Sequence, residues 1–166
     1  MKKARMLLPF TYGVHLQALE YAVLLAESRN AILVALSLVH IPFEQRTKGA
    51  RLEHIQQSKD FLVAVQHKAA RHAVPVEQKE VYTSDVVQSI STVAQEMNCE
   101  YILLFVRDGN AILLHTHEVK HIMTQVDSKF LIVRLPSSGR KNLVLALLKR
   151  FSNVLSKRSS DAFVQH

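Results

Sequence analysis

Tyr101-Ile102-Leu103-Leu104-Phe105-Val106 is the most hydrophobic short run in the first 136 residues. Apolar side chains without alternation fit a strand covered on both faces, which places this run inside a parallel sheet rather than at its edge. The polar break Arg107-Asp108-Gly109-Asn110 follows, Ile112 to Val126 reads as a helix, and Lys129-Phe130-Leu131-Ile132-Val133-Arg134 reads as a fifth strand closed by Pro136. Upstream, Thr83-Ser84-Asp85 supplies helix caps. Asp85 and Gln88 have capping-box spacing, and Val86, Ile90, Val93 and Met97 form an apolar stripe that ends near Asn98.

Further upstream, Val74 to Val81 has β-branched ends around a charged middle, and Pro75 suits an edge strand. A long helix from Arg51 to His72 precedes it, with Leu52, Ile55, Leu62 and Ala69 marking the inner side, and Phe43 to Ala50 reads as a loop. Ala31 to Val39, ended by His40-Ile41-Pro42, is a second buried strand. Leu16, Leu19, Val23 and Ala26 mark a first helix that stops at Asn30. Met6-Leu7-Leu8-Pro9-Phe10 is the first strand, ending near Thr11 at the turn Tyr12-Gly13. Strict alternation of strand and helix implies right-handed crossovers and a mainly parallel sheet with helices on both faces, an α/β fold.

A chain of 166 residues with 48% hydrophobic and 21% charged side chains suits one folded domain and excludes disordered and collagen-like classes. No apolar run approaches the roughly 20 residues of a membrane span. The basic start Met1-Lys2-Lys3-Ala4-Arg5 lacks the apolar stretch of a secretion signal, since Pro9, Thr11, Tyr12, Gly13 and His15 interrupt it. With Cys99 as the single cysteine, the expectation is a reducing, cytoplasmic setting.

In an open doubly wound sheet the ligand crevice lies beyond the ends of strands one and four. Thr11, Tyr12 and Gly13 would line one side of it, and Arg107, Asp108, Gly109 and Asn110 the other. A phosphate cradle needs clustered glycines, because side chains block the approach of backbone N–H groups. The four glycines Gly13, Gly49, Gly109 and Gly139 are dispersed, so neither a Rossmann fingerprint nor a Walker loop is present. Arg107 could hold an anion by charge alone, although a solvated loop arginine is the preferred reading.

His117 and His121, four apart on one helical face, are weak metal candidates; His115 lies just before them, and no third ligand is correctly placed. Cys99 follows a helix rather than opening one and reads as a buried structural thiol. No nucleophile elbow and no carboxylate pair accompanies the crevice, so nothing in the sequence argues for an enzyme.

Three strings in order, Met6-Leu7-Leu8-Pro9-Phe10, Glu100-Tyr101-Ile102-Leu103-Leu104 and Phe130-Leu131-Ile132-Val133-Arg134, resemble the universal stress protein family over about residues 4 to 135. The resemblance implies an open five-stranded parallel sheet of order 3-2-1-4-5, and commonly a homodimer through the fifth strand. Many members bind ATP, with an Asp ending the first strand and a motif G-x2-G-x9-G-[S/T] after the fourth. Here Thr11 stands where the Asp is expected, Phe105 or Val106 occupies the usual strand-end glycine or serine region, and Gly109 is the only nearby glycine. Thr116 and His117 fall where the final glycine and hydroxyl residue belong. On this alignment the Thr116 Cβ and the His117 ring would enter the triphosphate volume. The expectation is a branch without the ATP signature, stress-related, non-catalytic and without a cofactor.

Residues 137–166 carry five of the seven net positive charges, so the domain of residues 1–136 is almost balanced. From Gly139 to Lys157, Leu143, Leu147, Phe151, Val154 and Leu155 recur at helical spacing, flanked by Lys149, Arg150, Lys157 and Arg158. This reads as a C-terminal amphipathic helix. It would pack on its own domain or dimer mate, or dock on a protein partner or an anionic membrane surface. Nucleic acid ranks last, because Phe151 is the only interleaved aromatic residue. The leading expectation is a homodimeric regulatory or interaction domain that does not bind ATP. The alternative is a nucleotide-binding regulatory module, taking ATP or AMP, with a degenerate site around Thr11, Arg107, Gly109 and Thr116.

Overall fold

The computed structural model describes residues 2–137. Its elements are β1 (Arg5–Phe10), α1 (Leu16–Ser28), β2 (Ile32–His40), α2 (Leu52–Arg71), β3 (Val76–Thr83), α3 (Val86–Glu96), β4 (Tyr101–Arg107), β5 (Asn110–Ile112), α4 (Thr116–Gln125) and β6 (Lys129–Arg134), with a 3-10 turn at Phe43–Gln45. The expected tail helix and its residues Lys149, Arg150, Phe151, Lys157 and Arg158 lie outside the described residues.

The fold is α/β, with the strand order that the family resemblance implies. β3, β2, β1 and β4 pair in parallel, and β6 runs parallel along the remaining edge of β4. The parallel framework is therefore 3-2-1-4-5 when β6 is counted as its fifth strand. The addition is β5, a short antiparallel partner of β4 that makes the sheet mixed.

Alternation along the strands sends their side chains to two layers. On one face Leu7, Val34, Leu36, Leu38, Ile102 and Leu104 pack against Val86, Ile90 and Val93 of α3 and Val119 and Ile122 of α4. The opposite face takes α1 and α2. There the Phe10 ring stacks on Phe61 of α2 with centroids 4.3 Å apart and planes 6° from parallel, fixing the end of β1 to the helix layer. Asn30 and Asn98 follow α1 and α3 with φ of 49° and 51°, the left-handed conformation that ends a helix and that asparagine tolerates. At the start of α3, Asp85 accepts the Gln88 N–H at 3.0 Å, as its spacing implies.

Two expectations need correction. The segment after β4 does not become helical at Ile112; it first returns as β5, and α4 starts only at Thr116. Leu52 is 83% exposed, so it does not mark the inner side of α2. In α2 the buried stripe is Ser58, Phe61, Val65 and Ala69, a different phase from the one that Leu52 suggested.

Candidate functional site

In this topology the ends of β1 and β4 would part to open a crevice. They do part early, pairing only at Met6 with Tyr101 and Leu7 with Ile102. Pro9, two residues on, has no N–H to give a continued β4 ladder. Because β6 follows the other edge of β4 from Tyr101 to Val106, β5, which pairs with Phe105, Val106 and Arg107, must lie on the β1 edge. The hairpin therefore occupies the gap in which the crevice was expected.

Local chemistry explains the turn. Asp108 and Gly109 both have positive φ, 49° and 80°, and link Arg107 directly to its ladder partner Asn110. A two-residue loop with both central residues left-handed matches the right-handed twist of its strands, and Asp-Gly is a preferred pair for it. Beyond β5, Leu113 is held at φ 72° despite its side chain. That strain turns its carbonyl toward β1, where it accepts the N–H groups of Thr11 at 2.9 Å and Tyr12 at 3.2 Å.

Glu118 fixes the same junction. Its Oε2 accepts the Thr11 hydroxyl at 2.6 Å and the His115 N–H at 2.8 Å, joining the end of β1 to the first turn of α4. The residue is 7% exposed, and two charge-assisted hydrogen bonds offset the burial of its carboxylate. Thr116 Oγ1 accepts the Ala111 N–H at 3.1 Å. Thr11 and Thr116 are thus brought to one junction, where their hydroxyls are engaged in internal bonds.

The other candidates lie elsewhere. Gly109 is at the exposed hairpin tip. Arg107 alternates with Leu103 and Phe105 onto the α1 face, where its Nη2 lies 2.6 Å from His15 Nε2 and 3.3 Å from Gln17 Oε1. Burial and the nearby guanidinium both lower the pKa of His15, whose Nδ1 accepts the Ala18 N–H as the cap of α1.

Tyr12, His115, His117 and His121 form a surface row of rings. Successive centroids are 4.9, 5.5 and 6.5 Å apart, the last pair edge to face. Among the described residues no group of three or more His, Cys, Asp or Glu is arranged to hold a metal ion. Cys99 is half-buried, and burial pushes its thiol up to about 11, which disfavours a nucleophilic thiolate. A cleft at the end of β2, lined by His40, Pro42, Gln45, Gly49, Arg51 and His54, contains none of the site residues expected from the sequence.

Sequence reasoning missed Glu118, His15, Gln17 and Leu113. For Glu118 a local signal existed: it stands three residues after His115 at a helix start, the spacing of a capping carboxylate.

The model of the universal stress protein family matches residues 14–131, well over half of the chain. The chain belongs to the universal stress protein family. No curated protein matches it. Among solved universal stress proteins, one from Burkholderia pseudomallei is 18% identical with a TM-score of 0.61, the alignment covering 78% of this chain and 95% of that one. UspA from Lactobacillus plantarum is 16% identical with a TM-score of 0.61, covering 81% and 99%. The Archaeoglobus fulgidus protein solved in complex with dAMP is 13% identical with a TM-score of 0.61, covering 80% and 98%. At such identities the likeness is one of fold. Among the described residues of this universal stress protein, no helix is long and apolar enough to cross a membrane.

Proposed function

We propose that this universal stress protein is a non-catalytic regulatory or interaction domain that dimerises and docks on a partner, without competent ATP binding. The observation that carries this reading is the β4–β5 hairpin on the β1 edge of β4. A phosphate cradle works through free backbone N–H groups. Here those of Thr11 and Tyr12 bind Leu113, that of Ala111 binds Thr116, and that of His115 binds Glu118. Thr11, at the position that the resemblance assigns to a strand-end Asp, donates to Glu118.

The homodimer would form through β6, an edge strand whose Ile132 is 51% exposed. An unpaired strand edge with an apolar side chain is a template for a second copy. Residues 1–136 would be the dimerising domain. Residues 137–166 would be the docking element, with Lys149, Arg150, Lys157 and Arg158 around Phe151 meeting an acidic protein surface or an anionic membrane.

Titration of the full chain with ATP and AMP, with analysis of any co-purified nucleotide, tests the central statement. No micromolar binding is expected. Micromolar binding would overturn the reading in favour of a nucleotide-binding regulatory module, the role to which the dAMP complex of the Archaeoglobus fulgidus relative points. Ile132→Asp should shift the chain to monomer in sedimentation with little change in its own stability, and an unchanged dimer would exclude the β6 interface.

A further inference from the structure

The hydrogen bonds around Arg107 do not close. Its Nη2 approaches His15 Nε2 at 2.6 Å, while His15 Nδ1 accepts the Ala18 N–H at 3.2 Å. A neutral imidazole has one bare nitrogen and one N–H. If Nδ1 is bare and caps α1, Nε2–H points at a guanidinium N–H. If Nε2 is bare and accepts from Arg107, Nδ1–H points at the Ala18 N–H. Each tautomer leaves one donor facing another, and the imidazolium leaves two.

The acceptors nearby do not correct this. Gln17 Oε1, at 3.3 Å, receives one of the five N–H groups of the guanidinium. Arg107 Nε is buried and has no hydrogen-bond partner among the described residues. A buried donor without an acceptor costs about 1–3 kcal/mol, so the cluster holds unspent donor capacity beside a permanent positive charge. The first turn of α1 contains no acidic residue that could supply the missing oxygens.

We propose that Arg107, His15 and Gln17 form a binding site for a phosphate group on the α1 face of the sheet. Its oxygens would accept from the guanidinium fork and from His15 Nε2–H, while His15 keeps Nδ1 for the helix cap and Gln17 contributes through its amide. A tetrahedral oxyanion converts the donor–donor contact into two donor–acceptor contacts, and the guanidinium favours it by charge and by geometry. The site stands apart from the β1–β4 gap, because Arg107 and α1 lie on the sheet face opposite α4. It goes beyond the reading above and does not depend on it.

The test uses the full chain and inorganic phosphate, with chloride replaced at constant ionic strength, and reads the His15 ring nitrogens by NMR. Phosphate should drive His15 to the Nε2–H tautomer, with a saturable shift in the millimolar range. His15→Asn, which preserves a capping side chain, and Arg107→Gln should each weaken the effect on the α1 amides at least tenfold. Arg107→Lys, which keeps the charge and loses the fork, should weaken it less. It also serves if Arg107→Gln fails to fold. A linear, non-saturating response, or an equal response in Arg107→Lys and His15→Asn, would overturn the site.

AMP and ATP form the second arm. Equal affinity with shifts confined to His15 and α1 would show that only the phosphate group is read. Tighter nucleotide binding with shifts at Thr11 and Thr116 would overturn the absence of ATP binding and leave the phosphate site standing. No response to any of the three compounds would remove the phosphate site and leave the absence of ATP binding intact.

Discussion

Replacing Thr11 by Asp would place at the end of β1 the residue that the family resemblance associates with ATP binding, and in this chain it should do harm. The Thr11 hydroxyl donates to Glu118 Oε2 at 2.6 Å, and Glu118 is 7% exposed. The substitution removes a bond to a charged group, worth about 1.5–3 kcal/mol. It sets a second carboxylate against the first, and two unit charges 4 Å apart repel by about 4 kcal/mol at an effective dielectric constant of about 20. The pair can escape by sharing one proton. Binding that proton at pH 7, about three units above the usual carboxyl pKa, costs about 4 kcal/mol at 1.36 kcal/mol per unit. Proton sharing restores the hydrogen bond, so about 4 kcal/mol is the expected loss at pH 7, a large fraction of a typical domain's 5–15 kcal/mol.

The sign with pH follows by linkage. The folded variant binds one proton more than its unfolded chain across the range above the ordinary carboxyl pKa, so its deficit grows as pH rises and shrinks to about 1.4 kcal/mol near pH 5. Urea unfolding of both proteins at pH 5 and pH 7 measures this difference directly. Thr11→Asp combined with Glu118→Gln should recover most of the loss at pH 7, because the amide cannot ionise. A single variant as stable as the parent at pH 7, or one that gains ATP binding, would refute the assignment of this junction.

Ser37 is fully buried in β2 and its Oγ has no hydrogen-bond partner among the described residues; Ser37→Ala should leave stability unchanged or raise it by about 1 kcal/mol in urea unfolding. Cys99, its thiol raised to about 11 by burial, should react with Ellman's reagent at pH 8 far more slowly in the native protein than in urea. Glu20 has its pKa lowered, chiefly by the Lys68 ammonium donating at 2.7 Å. Its contribution to stability is therefore present above the unfolded carboxyl pKa and lost as pH falls through the lower folded value, and Glu20→Gln should flatten the acid limb of a stability–pH profile.

The middle of the sheet was legible because β2 and β4 are unbroken apolar runs, and the edge strands β3 and β6 because charged residues bound or interrupt theirs. Tyr101 to Val106, Ala31 to Val39 and Lys129 to Arg134 were each read within two residues of their bounds. Phase was less legible than periodicity. Leu52 and Phe61 both suit an apolar stripe in α2, and only the position of Phe10 selects Phe61 for the core. The hairpin was misread for a different reason: Ile112-Leu113-Leu114 resembles the start of an amphipathic helix, and its weight hid the Asp108-Gly109 turn just before it. Glu118 could be suspected as a cap from local spacing, but its other partner is 107 positions away. No local pattern carries that bond.

The dispersed glycines and the β4–β5 hairpin bear on one physical point. A loop rich in glycine leaves its backbone donors exposed, and those donors stay available only while nothing in the chain answers them. Here each answer comes from a different residue: Leu113 to Thr11 and Tyr12, Thr116 to Ala111, Glu118 to His115. These bonds couple β1, β5 and α4 into one junction, so breaking one leaves the others holding the gap closed. A single substitution at Thr11 therefore meets a junction whose backbone donors already have partners within the chain. Arg107 is the exception at the end of β4. It carries more donors than its neighbours can accept, and it turns them away from the closed gap toward α1.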